Sequence, residues 1–384
     1  MILIFLYFLL FLVVHFISKQ FKQVGAARLF QLVACFVLLF GFFGFRDITV
    51  LNDTSHYYGF YYEKAHVFSY KNEPITTFHL LDKFEYGFQI FVHILIQYVS
   101  KNPFTIIIVS SFIVTIGELW VIDKYARDIA KVCFYMLVAS MFFTHYCVIR
   151  QALAILFFYV AFGYLEQQKT GKYYLLILCA GMFHYSAFFL FILPILLHLK
   201  PTKKNAGMMI GAAVLLAVFL FEILSLLGLH DHPYYQNAIQ KGALSMIGLA
   251  DLAFMCIILS LCVFARKLNK APNPSPLYFW ICIMALCICL VAPVIYPLSR
   301  INEYLWPFIL FHLLRYIDPA AMRKTTSSVQ AKGSNNLLRL IMVIIFATKL
   351  ITINTVRPEW LHIDDYKFYD FSKPHHNYNL YPQE

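Results

Sequence analysis

Long apolar runs recur along the chain and are separated by short polar stretches. A helix needs about 20 apolar residues to cross a bilayer. Two segments, 84–100 and 173–199, fit either a full span or a re-entrant or broken one. The pattern predicts an all-α polytopic membrane protein with about 10–12 transmembrane helices. Ten clearer spans are predicted at 1–17, 28–45, 103–121, 131–148, 150–165, 206–228, 245–265, 277–298, 301–317 and 337–354.

Composition agrees with this class. Hydrophobic residues make up 61% of the 384 positions and charged residues 13%, whereas soluble domains carry about 25% charged residues. The net charge of +11 is explained by cytoplasmic loops rich in lysine and arginine, so no nucleic-acid partner is expected. The nine cysteines lie mostly in apolar runs without paired spacing to histidines, which indicates packing rather than a metal site or disulfides.

The basic loops predict the topology. If they are cytoplasmic, both termini lie outside, segment 84–100 stays on the outer face, and segment 173–199 breaks near 181–187. One tilted span over 173–199 would invert everything downstream. The first run lacks a basic start and a cleavage site, so it is expected to be retained. We expect one integral membrane domain, 1–384, with an outer loop at 46–83 and a polar outer tail at 355–384. The basic loops contain Lys19/Lys22/Arg28, Lys124/Arg127/Lys131, Lys169/Lys172, Lys200/Lys203/Lys204, Arg266/Lys267/Lys270 and Arg315/Arg323/Lys324/Lys332/Arg339.

Unusual polar residues gather at the predicted outer ends of helices. Charges in membrane segments are costly and usually pair or face a cavity. Arg46 has an alternative reading as an anchor that snorkels to the interface, and Asp53 has one as a helix cap. Arg150 is harder to explain in this way, because almost no loop separates the apolar runs around it. The outer set comprises Arg46, Asp47, Asp53, His56, Glu85, Arg150, Gln151, His184, His230, Asp231, His232 and Arg300.

The sequence lacks the motifs of soluble nucleotide-binding and hydrolytic enzymes. No GxGxxG, Walker loop, HExxH, GxSxG or CxxC pattern occurs. The run His230-Asp231-His232 is weak evidence for a metal. We therefore expect neither a cofactor nor a metal. The many tyrosines suit the membrane interface, and they also suit sugars, because C–H edges stack on rings while hydroxyls take polar partners.

An ordered series of motifs resembles the EpsG family of multispanning proteins, related to Wzy-type polysaccharide polymerases. "FRD" and "NDTSHYY" follow the second span, and "FEYGF" comes next. The most specific part runs from "VIRQALA" through a "KTGKYY" loop to "FHYSA", and "SRINEYLWP" and "DDYKFY" match more weakly. Leu51-Asn52-Asp53 stands where the family more often has a "GTD"-like triplet, which keeps the aspartate but not the glycine.

The resemblance implies a glycosyltransferase, similar to GT-C membrane enzymes, in the bacterial inner (plasma) membrane. Such an enzyme joins undecaprenyl-diphosphate-linked oligosaccharide repeat units at the outer face, for exopolysaccharide, capsule or O-antigen. It would be inverting and metal-independent. The bilayer is one partner, and a flippase and a chain-length regulator of the same pathway are others. Asp53 is the first candidate for the general base, followed by His184 and Glu85. The candidates for substrate binding are Arg46, Asp47, His56, Tyr57, Arg150, Gln151, Arg300 and Tyr304.

Other functions stay open at this point. A flippase or exporter of lipid-linked saccharides predicts charges through a central passage, whereas these residues cluster on one face. A ligase-like transferase needs the same outward diphosphate site and is not separated from a polymerase by sequence. A membrane acyltransferase would need an early histidine and arginine motif that is not seen. A non-enzymatic scaffold of an export complex is a further alternative.

Overall fold

A computed structural model describes residues 2–67, 84–226, 228, 245–323, 336–356 and 358–372. Regular structure in these ranges is helical, and an isolated antiparallel bridge joins Arg46 to Phe368. The side chains Leu29, Val33 and Val37 are 55–63% exposed along one face of a helix, as expected for a surface covered by lipid. The all-α polytopic membrane class predicted from the apolar runs is confirmed.

Seventeen α-helices form within the described ranges. They are α1 (Ile2–Ser18), α2 (Val24–Gly44), α3 (Asp53–Tyr62), α4 (Tyr86–Tyr98), α5 (Thr105–Tyr125), α6 (Ile129–Val138), α7 (Met141–Cys147), α8 (Ile149–Glu166), α9 (Thr170–Phe183), α10 (Ile192–Leu197), α11 (Lys203–Val218), α12 (Leu220–Leu226), α13 (Met246–Leu268), α14 (Pro276–Val291), α15 (Asn302–Ile317), α16 (Asn336–Val356) and α17 (Pro358–Leu361). A π-helical turn, Glu63–Val67, extends α3, and 3₁₀ turns cover Tyr185–Phe191, Tyr296–Ile301 and Pro319–Ala321.

Five of the described helices, α2, α5, α8, α13 and α16, are long and apolar enough to cross a membrane. The number rises to seven if the bent pairs α6–α7 and α11–α12 each form one span. The predicted 10–12 spans exceed this number because several apolar runs fold as shorter helices, including α1, α9 and α14.

The two ambiguous segments both fall short of a straight span. Helix α4 has 13 residues, about 20 Å of helix, against about 30 Å of hydrocarbon. Helix α9 ends at Phe183, and a 3₁₀ turn begins at Tyr185. The predicted break near 181–187 is therefore confirmed, and it falls at His184.

One break was not predicted. The run 131–148 was expected to form a single span, but α6 and α7 meet at 75°. Ser140 lies between them with φ 62°, in the left-handed region, so the helix cannot continue through it. The bend aims α7 at the start of α8, where Arg150 lies.

The described chain divides into two compact units. The first comprises 1–159, 178–185 and 342–384, and the second comprises 160–177 and 186–341. In the first unit, α2 packs against α5 and α1 packs against α6. In the second, α14 packs against α11, α13 and α15.

The predicted outer loop 46–83 is partly helical, because α3 and its π turn occupy 53–67. Residues 68–83 lie outside the described ranges. The chain after α16 returns to the start of this segment. Backbone N–H groups of Asp47, Leu51 and Asn52 donate to carbonyls of Lys367, Leu361 and Trp360 at 2.9–3.1 Å, and Tyr369 N–H donates to Phe45 O at 2.9 Å. The described part of the tail thus fixes the entry to α3.

Candidate active site at the ends of three helices

Three predicted site residues meet in the first unit, and Glu85 is the central one. Its Oε2 accepts a hydrogen bond from the Arg150 guanidinium. Its Oε1 lies 2.8 Å from His184 Nδ1, and the Tyr185 backbone N–H donates to the same oxygen at 3.4 Å. The carboxylate is 4% exposed, whereas the side chains of Arg150 and His184 are 21% and 18% exposed. A buried acid is therefore held between two groups that a ligand can reach.

Each of these residues stands at a helix end. Glu85 directly precedes α4 and makes no side-chain cap bond to it, because its oxygens bind partners from distant parts of the chain. Arg150 is the second residue of α8, and Val148 alone separates α8 from α7. His184 follows the last residue of α9. A residue at a helix end is not held in the regular hydrogen-bond pattern on both sides. Side chains from the ends of different helices can therefore meet at one point.

Gly87 permits the approach of α4 to the end of α9. A Cβ at this position would lie 2.8 Å from Met182 O and 2.9 Å from Met182 Cβ. A larger residue would push α4 away from α9. Glu85, two residues earlier, would then separate from His184.

Two aromatic residues hold the Arg150 side chain. Its guanidinium carbon lies 4.5 Å from the centroid of the Phe84 ring, within range of a cation–π interaction. Tyr57 on α3 hydrogen-bonds to the side chain and the backbone of Arg150. Burial raises the pKa of Tyr57 to about 12; Arg150 opposes this shift, and the negative charge of Asp53 adds to it. Asp53 stands four residues before Tyr57, on the same face of α3.

The electrostatic balance keeps Glu85 ionised. Burial on its own raises the pKa of this carboxyl, but the hydrogen bond with His184 and the charge of Arg150 outweigh burial, so the pKa lies below its ordinary value. An ionised Glu85 accepts the Nδ1 proton of His184. In the neutral imidazole, Nε2 is then the ring nitrogen that can accept a proton.

The EpsG family profile matches residues 28–362, which include every residue of this cluster. The chain belongs to the EpsG family. No curated protein and no solved structure matches it. Membership makes the chain a membrane protein of polysaccharide biosynthesis, in a family associated with glycosyltransferase-like polymerases.

Arg46 occupies a different environment in this EpsG-family protein. Its side chain is fully buried. It donates to Thr54 Oγ1 at 3.1 Å, Ser111 Oγ at 3.0 Å and the carbonyls of Phe43 and Tyr146. Burial lowers its pKa to about 10, so it stays cationic at neutral pH. These bonds favour a structural role that ties α2, α3, α5 and α7 together, and a substrate role for Arg46 stays a prediction.

The remaining predicted residues belong to both units. Asp47 is buried and accepts from Thr49 N at 3.0 Å and Thr49 Oγ1 at 2.7 Å, which is a local turn. Gln151 is buried beside Arg150, and His56 is exposed on α3. Arg300 and Tyr304 belong to the second unit. There, Arg300 is exposed and Tyr304 Oη lies 3.2 Å from Ser186 Oγ.

Sequence reasoning missed a buried polar network in the first unit. Glu118 Oε1 lies 2.6 Å from His145 Nδ1, and the Tyr159 hydroxyl donates to both Glu118 oxygens at 3.0 and 3.1 Å. Tyr146 Oη and Thr115 Oγ1 are 2.6 Å apart. These bonds join α5 to α7 and α8. The sequence signal for this network was the acidic residue Glu118 within "TIGELWV", because acidic residues are rare in membrane-spanning segments.

Metal ligands do not gather in the described part of the chain, where no three His, Cys, Asp or Glu residues form a group that could hold an ion. His230, Asp231 and His232 lie outside the described residues.

Proposed function

We propose that this protein is a membrane glycosyltransferase that polymerises saccharide repeat units carried on undecaprenyl diphosphate, at the outer face of the bacterial plasma membrane. The observation that supports this most directly is the Glu85 carboxylate shared by Arg150 and His184. The arrangement combines a cation for a phosphate leaving group with an oriented imidazole for a hydroxyl acceptor. A flippase and a chain-length regulator of the same pathway are the proposed protein partners.

In the proposed reaction, a hydroxyl oxygen of the incoming unit attacks the anomeric carbon of the growing chain. The bond between that carbon and the diphosphate oxygen breaks, and the configuration inverts. The hydroxyl proton passes to Nε2 of His184, and the lipid diphosphate leaves with the bonding electrons. General-base assistance of this kind typically contributes 10²–10⁴-fold.

Arg150 has the chemistry to stabilise the leaving diphosphate. Guanidinium groups match phosphate oxygens and keep their charge. The Arg150 Nε is buried and has no hydrogen-bond partner among the described residues, so the side chain has donor capacity beyond its bonds to Glu85 and Tyr57. Preorganised positive charge at a leaving group needs no metal, and the reaction is proposed as metal-independent.

Glu85 orients the other two groups. It fixes the His184 tautomer and holds Arg150 over Phe84, in the manner of a carboxylate behind a catalytic histidine. The geometry therefore moves His184 ahead of Asp53 as the proposed base. Asp53 lies on α3 with Tyr57, and its proposed role is beside that residue. The helix sets the distance between Asp53 and Arg150.

The decisive experiment is reconstitution of the purified protein with a synthetic undecaprenyl-diphosphate repeat unit. A ladder of polymer supports the proposal. Translocation of intact lipid-linked units without a ladder would indicate a flippase. Addition of a single unit to a foreign acceptor would indicate a ligase. Either result would contradict polymerisation.

A further inference from the structure

A second polar site lies in the second unit and shares no residue with the proposed reaction. It is a cavity of about 920 Å³ at one end of the helices. Helices α8, α10, α13 and α15 end around it, and α9 and α14 begin there. All of its lining residues belong to this unit.

Residues that line this cavity come from segments in or next to four of the predicted basic loops, within 165–170, 194–198, 269–278 and 312–319. Their meeting around one space places these loops on the same side of the membrane. Loops rich in lysine and arginine face the cytoplasm. The charge rule therefore assigns the cavity to the cytoplasmic face.

Two buried donors on α15 have unused capacity. The Arg315 guanidinium lies over the Tyr278 ring at 4.4 Å and donates to its hydroxyl at 3.0 Å, yet Arg315 Nε is buried without a partner in the described structure. His312 is 5% exposed and stacks on Tyr278 with ring centroids 5.0 Å apart. Its Nε2 lies 3.5 Å from the Tyr316 hydroxyl, and its Nδ1 has no described partner. If Tyr316 donates to Nε2, the neutral ring has its proton on Nδ1.

The N-termini of two helices add positive backbone dipoles to these side-chain donors. Helix α14 begins at Pro276, which has no N–H, and the preceding Ser275 makes no side-chain cap bond. The next two residues, Leu277 and Tyr278, line the cavity, and N–H groups in a first helical turn have no partner within the helix. Helix α9 begins at Thr170, which also lines the cavity. Helix N-termini favour anions.

Charged side chains of both signs line the cavity. Glu166 lines it. Arg315 lines it as well, and Arg266 donates to the lining residue Asn273 at 2.6 Å. One arginine and one glutamate therefore line the cavity, and a second arginine binds a lining residue. Leu165 and Leu197 supply apolar wall beside the polar groups.

We propose that this cavity binds a phosphate group on the cytoplasmic face, carried by a lipid headgroup or by a soluble phosphate ester. His312 and Arg315 donate hydrogen bonds to its oxygens, and the first turn of α14 adds backbone N–H groups. A phosphate has acceptor oxygens on every side, which matches a site built from donors of several elements.

The test measures binding to the full-length protein purified in neutral detergent. The probes are dioleoylphosphatidylglycerol, followed by native mass spectrometry, and glycerol 3-phosphate, followed by calorimetry. Arg315→Gln should weaken binding at least tenfold. His312→Phe keeps the ring stacked on Tyr278 but removes the donor, and it should weaken binding several-fold. Arg127→Gln changes an exposed arginine outside the cavity and serves as the matched control.

Saturable binding of the lipid alone identifies a headgroup as the ligand, and saturable binding of glycerol 3-phosphate identifies a soluble ester. The proposal is overturned if neither probe saturates, or if Arg315→Gln and Arg127→Gln weaken binding equally. If Arg315→Gln does not fold, His312→Phe decides, and wild-type affinity in that variant overturns the proposal.

Discussion

The Oε1 atom of Glu85 lies 2.8 Å from Nδ1 of His184, although 99 positions separate the two residues in sequence. The hydrogen bond joins the start of one short helix to the break after another. Because Nδ1 is bonded to Glu85, Nε2 of the part-exposed His184 is the ring nitrogen that is available as a base.

This geometry predicts the behaviour of His184→Asn. The amide occupies the place of Nδ1 and keeps the bond to Glu85, but it has no group at Nε2. Polymerisation should therefore fall about 10²–10⁴-fold in kcat, with little change in KM. Rates from reconstituted protein check this, and His66→Asn, at an exposed histidine, is the control. A kcat within a few-fold of wild type would remove His184 as the base.

Arg150→Lys tests the diphosphate role. Lysine keeps one positive charge but loses the planar group that lies over Phe84 and bonds to Glu85 and Tyr57. Elongation should drop on the order of 100-fold while the amount of protein in the membrane stays constant. Polymer length on gels gives the readout, with Arg127→Lys as control. Unchanged polymer length would contradict the assignment.

Glu118 should matter for stability. Glu118→Ala removes the buried carboxylate that accepts hydrogen bonds from His145 and Tyr159, at a cost of about 1–3 kcal/mol for each donor. Tyr159→Phe removes a hydrogen bond and should cost about 1 kcal/mol. Thermal unfolding in detergent measures both variants against Glu222→Gln, a change at an exposed glutamate. Equal melting temperatures for Glu118→Ala and wild type would show that the network does not stabilise the fold.

Acid should destabilise the protein partly through Glu85. The folded-state pKa of this group lies below its ordinary value, so its contribution to stability is complete above the ordinary glutamate pKa of about 4.3. The contribution is lost as pH falls below that value toward the folded pKa. Between about pH 5 and pH 3, the wild-type melting temperature should fall more steeply than that of Glu85→Gln. Parallel curves would count against an ionised Glu85.

Removal of residues 357–384 should abolish most activity. This truncation deletes the acceptors of Asp47, Leu51 and Asn52 and frees the entry to α3, which positions Tyr57 against Arg150. Removal of 373–384 alone leaves all of these bonds and serves as the control. Polymerisation assays on both truncated proteins, at equal membrane levels, separate the two outcomes. Full activity in the longer truncation would show that α3 is positioned without the tail.

The long apolar runs were sufficient to predict the membrane class. The break near His184 followed from the positions of the basic loops, because a single span over 173–199 would have placed basic loops on both sides of the membrane. Neither signal predicted the bend at Ser140, where a single residue adopts a left-handed conformation that no apolar pattern encodes. Arg150, Glu85 and His184 stood out as polar residues in apolar surroundings. Their pairing could not be read from sequence, because it depends on close packing at Gly87. Arg46 was a candidate for substrate binding for the same reason. Only its four hydrogen-bond partners in the structure distinguish it from the residues of the cluster.

The backbone bonds between the tail and residues 45–52 also constrain the order of assembly. A chain emerging from the ribosome makes its first two helices long before residues 361–369 exist. The entry to α3 therefore acquires these bonds only after α16 and the following tail have been synthesised. A partly synthesised protein in the membrane therefore lacks the backbone bonds that hold α3 in place, and only the nearly complete chain can form them.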